Sequence, residues 1–177
     1  MKRKTILYIA MTLDGYIADE QDQLTFLDAY HHIKFTNQTY AKLLKRIDTI
    51  IMGRKTYDIL QTLVEKWPYS DQQTYVLTST LSKSPVDSIT YVNYNIEEFM
   101  KNLILSDGKD IWIVGGGKVV QTLLDMNLID EFHITIIPKL LGGGKPLFRP
   151  LNHILDLELE EVITDDNLVM LIYNRKQ

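Results

Sequence analysis

No cysteine occurs among the 177 residues. Disulfides, zinc–thiolate centres and a cysteine nucleophile are excluded outright, and the absence fits a reducing compartment. Long apolar runs are missing too: no segment approaches the ~20 consecutive apolar residues that cross a bilayer. The start, Met1-Lys2-Arg3-Lys4 followed by an apolar run from Ile6 to Met11, imitates a signal peptide, but the run is short and Asp14 interrupts it. It reads as the first strand of a cytoplasmic protein. Basic runs are equally absent: 19 Lys and Arg stand against 23 Asp and Glu, a formal net charge of −4. Nothing here grips a nucleic-acid backbone, so nucleic acid is disfavoured as the main partner. Only nine glycines and five prolines are present, beside 45% hydrophobic residues. That profile argues against a disordered chain. The length fits one domain over 1–177, able to bury a core without covalent staples.

Eight runs read as strands, at about 5–10, 49–52, 74–77, 89–92, 111–114, 132–137, 155–163 and 168–174. Helical patterns lie between several of them. Tyr40, Leu43, Leu44 and Ile47 recur at i, i+3, i+4 and i+7, with Asn37 placed as an N-cap. A short helix is expected at 56–64. Another is marked by Ile96, Phe99, Met100 and Leu103, where Asn95 and Glu98 have the spacing of a capping box. A fourth runs from about 118 to 126, with Val120, Leu123 and Leu124 facing inward. The polar stretch 18–35 reads as a loop with a short helix. Strands alternating with helices imply an α/β fold with a largely parallel sheet. The last two strands, joined at Asp165-Asp166-Asn167, imply an antiparallel edge.

Three places carry chemistry. In Ile111-Trp112-Ile113-Val114-Gly115-Gly116-Gly117-Lys118-Val119 a strand runs into glycines and then a helix. Without Cβ atoms the backbone can approach a bulky anion, and a helix start offers unpaired N–H groups to a pyrophosphate. A plain tight turn would use the same glycines. Neither a Walker A loop nor a G-x-G-x-x-G fingerprint is present, because Val119 follows Lys118 and the glycine spacing is wrong. In Ile50-Ile51-Met52-Gly53-Arg54-Lys55-Thr56-Tyr57 a second strand ends in glycine, here with two cations and a hydroxyl beyond its carboxyl end. Ligands of parallel sheets bind there. Arginine gives a planar fork for phosphate, and lysine a point charge. In the third, Thr74-Tyr75-Val76-Leu77 ends in Thr78-Ser79-Thr80, hydroxyls that can donate to phosphate or simply begin a loop. Together the three match the two anionic parts of NADP. Arg54, Lys55, Thr78 and Ser79 would read the 2′-phosphate.

The order and spacing of four segments resemble the dihydrofolate-reductase-like superfamily. They are most similar to the C-terminal reductase domain of the bifunctional riboflavin-biosynthesis deaminase/reductase. The segments are Ala10-Met11-Thr12-Leu13-Asp14-Gly15-Tyr16-Ile17-Ala18, Met52-Gly53-Arg54-Lys55-Thr56-Tyr57, Val114-Gly115-Gly116-Gly117, and Pro138-Lys139-Leu140-Leu141-Gly142-Gly143-Gly144-Lys145-Pro146-Leu147-Phe148. The resemblance implies a three-layer fold with a twisted, mostly parallel eight-stranded sheet and helices on both faces. It implies a homodimer and an NADPH-dependent reductase similar to 5-amino-6-(5-phosphoribosylamino)uracil reductase. Such an enzyme delivers hydride to a small heterocyclic or ribosyl-linked substrate.

By the same resemblance Gly53, Arg54, Lys55, Thr56, Thr78, Ser79, Val114, Gly115, Gly116, Gly117, Lys118 and Val119 hold the cofactor. Ala10 touches the nicotinamide through its backbone, and a cis peptide joins Gly115 to Gly116. Asp14 is the candidate catalytic proton donor and a substrate contact, although a turn with Gly15 explains it equally. Thr135 is the second substrate contact; an ordinary strand threonine is its alternative. The Pro-Trp-x-Leu-Pro stretch of folate reductases is missing, since no proline precedes Pro68 and no tryptophan precedes Trp67. Asp19, Glu20, Asp22 and Asp28 read as solvent-facing acids. Dihydrofolate reduction and a non-catalytic NADP-binding module remain the alternatives. Gly142-Gly143-Gly144-Lys145 is either an anion nest or a plain loop. His31, His32, His133 and His153 lack metal-ligand spacing, so no metal is expected.

Overall fold

A computed structural model describes residues 2–30, 34–80 and 86–176. The chain runs β1 (Thr5–Thr12), β2 (Tyr16–Ala18), a 3₁₀ helix (Thr25–Tyr30), α1 (Lys34–Arg46), β3 (Ile47–Gly53), α2 (Arg54–Leu63), β4 (Gln73–Leu77) and β5 (Ile89–Val92). It continues with α3 (Ile96–Leu105), β6 (Asp110–Gly115), α4 (Gly117–Asp125), β7 (Glu131–Ile137), β8 (Lys145–Pro146), β9 (Leu157–Asp165) and β10 (Leu168–Arg175). Eight strands form one sheet in the order β5-β4-β3-β6-β1-β7-β10-β9, and β2 pairs with β8 in a separate two-stranded ladder. Every pairing from β5 to β7 is parallel; β10 runs against both β7 and β9. The three-layer α/β architecture with an antiparallel edge is the one expected.

Strand alternation divides the core. Leu7, Ile51, Ile111 and Ile113 face one side, under Phe99, Met100 and Ile104 of α3 and Val120, Leu123 and Leu124 of α4. Ile6, Ile50, Met52, Val76 and Trp112 face the other, under Leu43 of α1 and Tyr57 of α2. Here the aromatic residues pack edge to face: Tyr69 lies 5.5 Å from Trp112 and 5.3 Å from Trp67, ring centre to ring centre. A smaller cluster of Phe26, Ile137, Leu168 and Met170 extends this layer under the 3₁₀ helix.

Local chemistry sets the helix ends. The Asn95 side chain accepts from Glu98 N–H at 3.2 Å, one half of the expected capping box. Helix α4 stops without glycine because Asn127 adopts φ 55°. Leu128 N–H then reaches Leu123 O at 2.8 Å and Asn127 N–H reaches Leu124 O at 2.9 Å, the Schellman pattern.

Several expected boundaries shift. Helix α1 begins at Lys34, so Asn37 lies inside it rather than capping it, and Ile47 opens β3 instead of closing the helix. Its side chain still reaches the core predicted for it, but from a strand. Helices α2 and α4 start directly after Gly53 and Gly116, which puts Arg54 and Lys118 in first turns. His31 and His32 lie outside the described residues.

The β2–β8 ladder depends on a close approach. Gly144 has φ +139°, and a Cβ there would stand 2.3 Å from Ala18 O. Gly144→Ala is therefore expected to destabilise the protein by about 2 kcal/mol, lowering Tm by about 5 °C. An unchanged Tm in a thermal melt would show that this backbone yields freely.

Candidate functional site

The sheet opens at one place. Strand β1 pairs with β6 only at Thr5↔Ile111, Ile6↔Trp112 and Leu7↔Ile113, yet it follows β7 as far as Thr12↔Ile137. Beyond Leu7 and Ile113 the two neighbours part, at the carboxyl ends of parallel strands, where such sheets bind ligands. The cause is on β6. Its register against β3 slips between Ile51↔Ile113 and Met52↔Gly115, so Val114 is an extra residue that bends the strand. Gly115 then takes φ 118° and the Gly115–Gly116 bond is cis, as the resemblance implies. Where the strands separate, Trp112 Nε1–H donates to Tyr8 O at 3.1 Å.

Two helix starts flank this opening. The N-caps of α2 and α4 are Gly53 and Gly116, and neither helix has a side-chain cap bond. The first-turn N–H groups of a helix have no intrahelical partner and carry its positive dipole end. The two starts touch: a Cβ on Gly53 would lie 3.1 Å from Val119 Cγ2 and 3.9 Å from Gly115 O, and one on Gly116 would lie 3.4 Å from Thr56 Oγ1. Gly53 and Gly116, both partly exposed, thus lie together with the Thr56 hydroxyl, over the buried Gly115 and Val119.

The remaining cofactor candidates divide. Arg54 Nε–H donates to Asp58 Oδ1 at 2.7 Å, and its guanidinium lies 5.1 Å above the centre of the Tyr91 ring. Lys55 Nζ pairs with Asp22 Oδ2 at 2.5 Å. Leu77 pairs with Gly53, so Thr78 and Ser79 leave the sheet beside the start of α2. The Thr78 hydroxyl accepts from Thr80 N–H at 3.1 Å. Three residues of the glycine-rich motif have packing reasons of their own. A Cβ on Gly117 would meet Pro146 O at 2.8 Å, so its bareness serves the approach of β8. The Val119 side chain is buried and its N–H is bonded to Gly116 O, while Val114 packs into the core under α2. Lys118 is exposed on the first turn of α4.

Ala10 lies past the parting point and pairs with Thr135 of β7, which pairs in turn with Met170. The three share one face, beside Phe26 of the 3₁₀ helix. Thr135 is buried there, 5% exposed.

Asp14 sits in the turn after β1. Its Oδ1 accepts from the Thr12 hydroxyl at 2.5 Å and its Oδ2 from Gly142 N–H at 2.8 Å. The Thr12 bond above all, with Gly142 N–H in support, holds the carboxyl below its ordinary value. Both bonds are compatible with the turn reading of Asp14 and with a substrate contact.

Phe26 gives no signal in the sequence beyond a short apolar group inside a polar stretch, and Asp22, expected among the solvent-facing acids, pairs with Lys55. Among the described residues no group of His, Asp and Glu is arranged to hold a metal ion. Among the same residues no helix is long and apolar enough to cross a membrane.

A sheet that parts between β1 and β6, with two glycine-capped helix starts beside the gap, defines a protein of dihydrofolate-reductase-like fold. The chain belongs to the RibD C-terminal domain family, whose model matches residues 3–171. It is 36% identical over 175 residues to the uncharacterized protein YwjB of Bacillus subtilis, covering 99% of each chain. Among solved structures it is similar to a putative riboflavin biosynthesis protein from Shewanella sp. PV-4, with a TM-score of 0.87, 32% identity and full coverage of both chains. Dihydrofolate reductase from Enterococcus faecalis, complexed with NADP(H), shares the fold at a TM-score of 0.69 and 18% identity, again over the whole of both chains. The family supports an oxidoreductase of the riboflavin-pathway reductase type.

Proposed function

We propose that the chain is a single-domain cytoplasmic reductase that uses NADPH to reduce a small heterocyclic or ribosyl-linked substrate, in the manner of 5-amino-6-(5-phosphoribosylamino)uracil reductase. One observation carries this reading: the parting of β1 from β6, beside two touching helix starts whose N-caps are glycine. Bound there, the reduced nicotinamide would supply the hydride.

The protein's residues do the rest. First-turn N–H groups of α2 and α4 receive the diphosphate, with the Thr56 hydroxyl as a further donor. Arg54 supplies the fork for the 2′-phosphate, with Thr78 and Ser79 alongside and Lys55 adding charge. The Ala10 backbone, unpaired toward β6, meets the nicotinamide end, and Trp112 holds the adjacent Tyr8 carbonyl. Asp14 and Thr135 are placed to contact the substrate, Asp14 as an ionised acceptor for its hydroxyl groups. The proton that completes the reduction then comes from water. A homodimer is part of this proposal: half-exposed Leu159 and Val162 on the edge strand β9 are apolar surface for it to cover. A monomer in light scattering would remove that part.

The test is NADPH oxidation with ribosylaminopyrimidine phosphate and, separately, with dihydrofolate. Turnover with the first and not the second is expected. A purified protein without affinity for NADPH or NADH would end the proposal.

A further inference from the structure

The turn formed by residues 19–23 stands between the start of α2 and the loop of residues 142–144, and it is closed on itself. Asp19 Oδ1 accepts from Gln21 N–H at 2.9 Å and from Gln23 N–H at 2.8 Å. Asp22 N–H donates to Asp19 O at 3.1 Å, as Asp19 N–H does to Gln23 O. This self-bonded turn holds Asp22 at φ 65°, a left-handed conformation that a non-glycine residue adopts at a cost. The result is that the Asp22 carboxylate, 25% exposed, reaches Lys55 Nζ, 33 residues away in sequence and 68% exposed. An ion pair this exposed adds little to stability, so it does not explain the turn as a structural brace. Its location does: Lys55 is the second residue of α2, next to Arg54 at the helix start that Gly53 caps. On its other side the turn meets the loop that Asp14 holds, for a Cβ on Gly143 would stand 3.3 Å from Glu20 Oε1.

We propose that Asp22 is a positioning residue that acts as a stand-in anion: it occupies the Lys55 ammonium that a dinucleotide phosphate neutralises, and phosphate binding displaces it. This rests on the NADPH reading of the site. The 2′-phosphate carries as much charge as the carboxylate or more, and it also receives the Arg54 fork and the hydroxyls of Thr78 and Ser79, so it wins the competition. Once released, Asp22 no longer ties the 19–23 turn to α2. Cofactor binding is thereby coupled to the turn that borders the loop of residues 142–144.

The experiment measures the Kd of NADPH, and of adenosine 2′,5′-bisphosphate as the minimal probe of the 2′-phosphate position, for the wild-type protein and for Asp22→Asn. Asparagine keeps the left-handed turn and removes the competing charge. The variant is expected to bind both probes about threefold more tightly at low salt, an advantage lost near 0.5 M salt, where the Debye length falls to roughly 4 Å. In a Lys55→Gln background the same substitution is expected to change neither Kd, which separates competition for Lys55 from a general change in charge. A merely structural Asp22 would weaken binding when replaced. Unchanged or weaker binding by Asp22→Asn, with the wild type still binding NADPH, overturns this inference and leaves the functional reading intact. So does a gain that persists in the Lys55→Gln background. A wild type that binds neither NADPH nor NADH overturns both.

Discussion

Arg54→Ala is expected to raise the Kd for NADPH about thirtyfold and to leave the Kd for NADH within about twofold. Only NADPH carries the 2′-phosphate. A hydrogen bond to a charged group contributes about 1.5–3 kcal/mol, and about 2 kcal/mol corresponds to a factor of roughly thirty. The proposed role draws on how this side chain is held. Arg54 opens α2, Asp58 takes its Nε–H at 2.7 Å, and the Tyr91 ring backs its plane at 5.1 Å. The guanidinium is thus oriented before any ligand arrives, so little side-chain freedom is lost on binding. Arg54→Lys keeps the charge without the fork and is expected to fall between the two. Fluorescence titration with both nucleotides decides the matter, and equal losses for NADPH and NADH would reassign the residue.

Glu131→Gln is expected to cost about 3 kcal/mol of stability at pH 7, or about 10 °C in Tm. Glu131 is buried at the amino end of β7, opposite the proposed cofactor end. Arg46 Nη1 and Nη2 donate to its two oxygens at 2.6 and 2.7 Å, and Lys4 Nζ lies 2.8 Å away. His133 Nε2 is at 3.2 Å, while Arg46 also holds Asp110 at 2.6 Å. Burial pushes the Glu131 carboxyl up, but bonds to His133, Arg46 and Lys4 outweigh it and hold the group well below its ordinary value of 4.5. The sign of the pH dependence follows. With the folded value depressed, the contribution is fully present above about 4.5 and drains away as pH falls below it. The gap between wild type and variant should therefore narrow as the pH drops from 5 toward about 3. Denaturant melts across that range check this. A constant gap would mean that the cluster acts through packing rather than charge.

The parts of the molecule that were legible beforehand are those set by neighbours in the chain. Ile111 to Val114 is apolar throughout, and it forms a strand buried on both faces. Glycines after two strands mark where the strands end, and α2 and α4 begin at those points. The 34–47 segment was read less well. Ile47 satisfies the helical spacing yet opens a strand, since sheet pairing with Asp110 outweighs a local pattern. The β2–β8 ladder was invisible: strands of three and two residues are too short to show a period, and they exist because Gly144 lets two backbones meet.

The amino-acid order by itself determined the α/β class, the family and the glycines at two helix starts, since periodicity and the absence of Cβ are written in the residues themselves. Only the tertiary structure decided where β1 leaves β6, that Asp14 is clamped by Gly142, and that Lys55 belongs to Asp22. Those outcomes turn on distances of a few ångströms between segments far apart along the chain. Register and packing set such distances, and no local pattern encodes them.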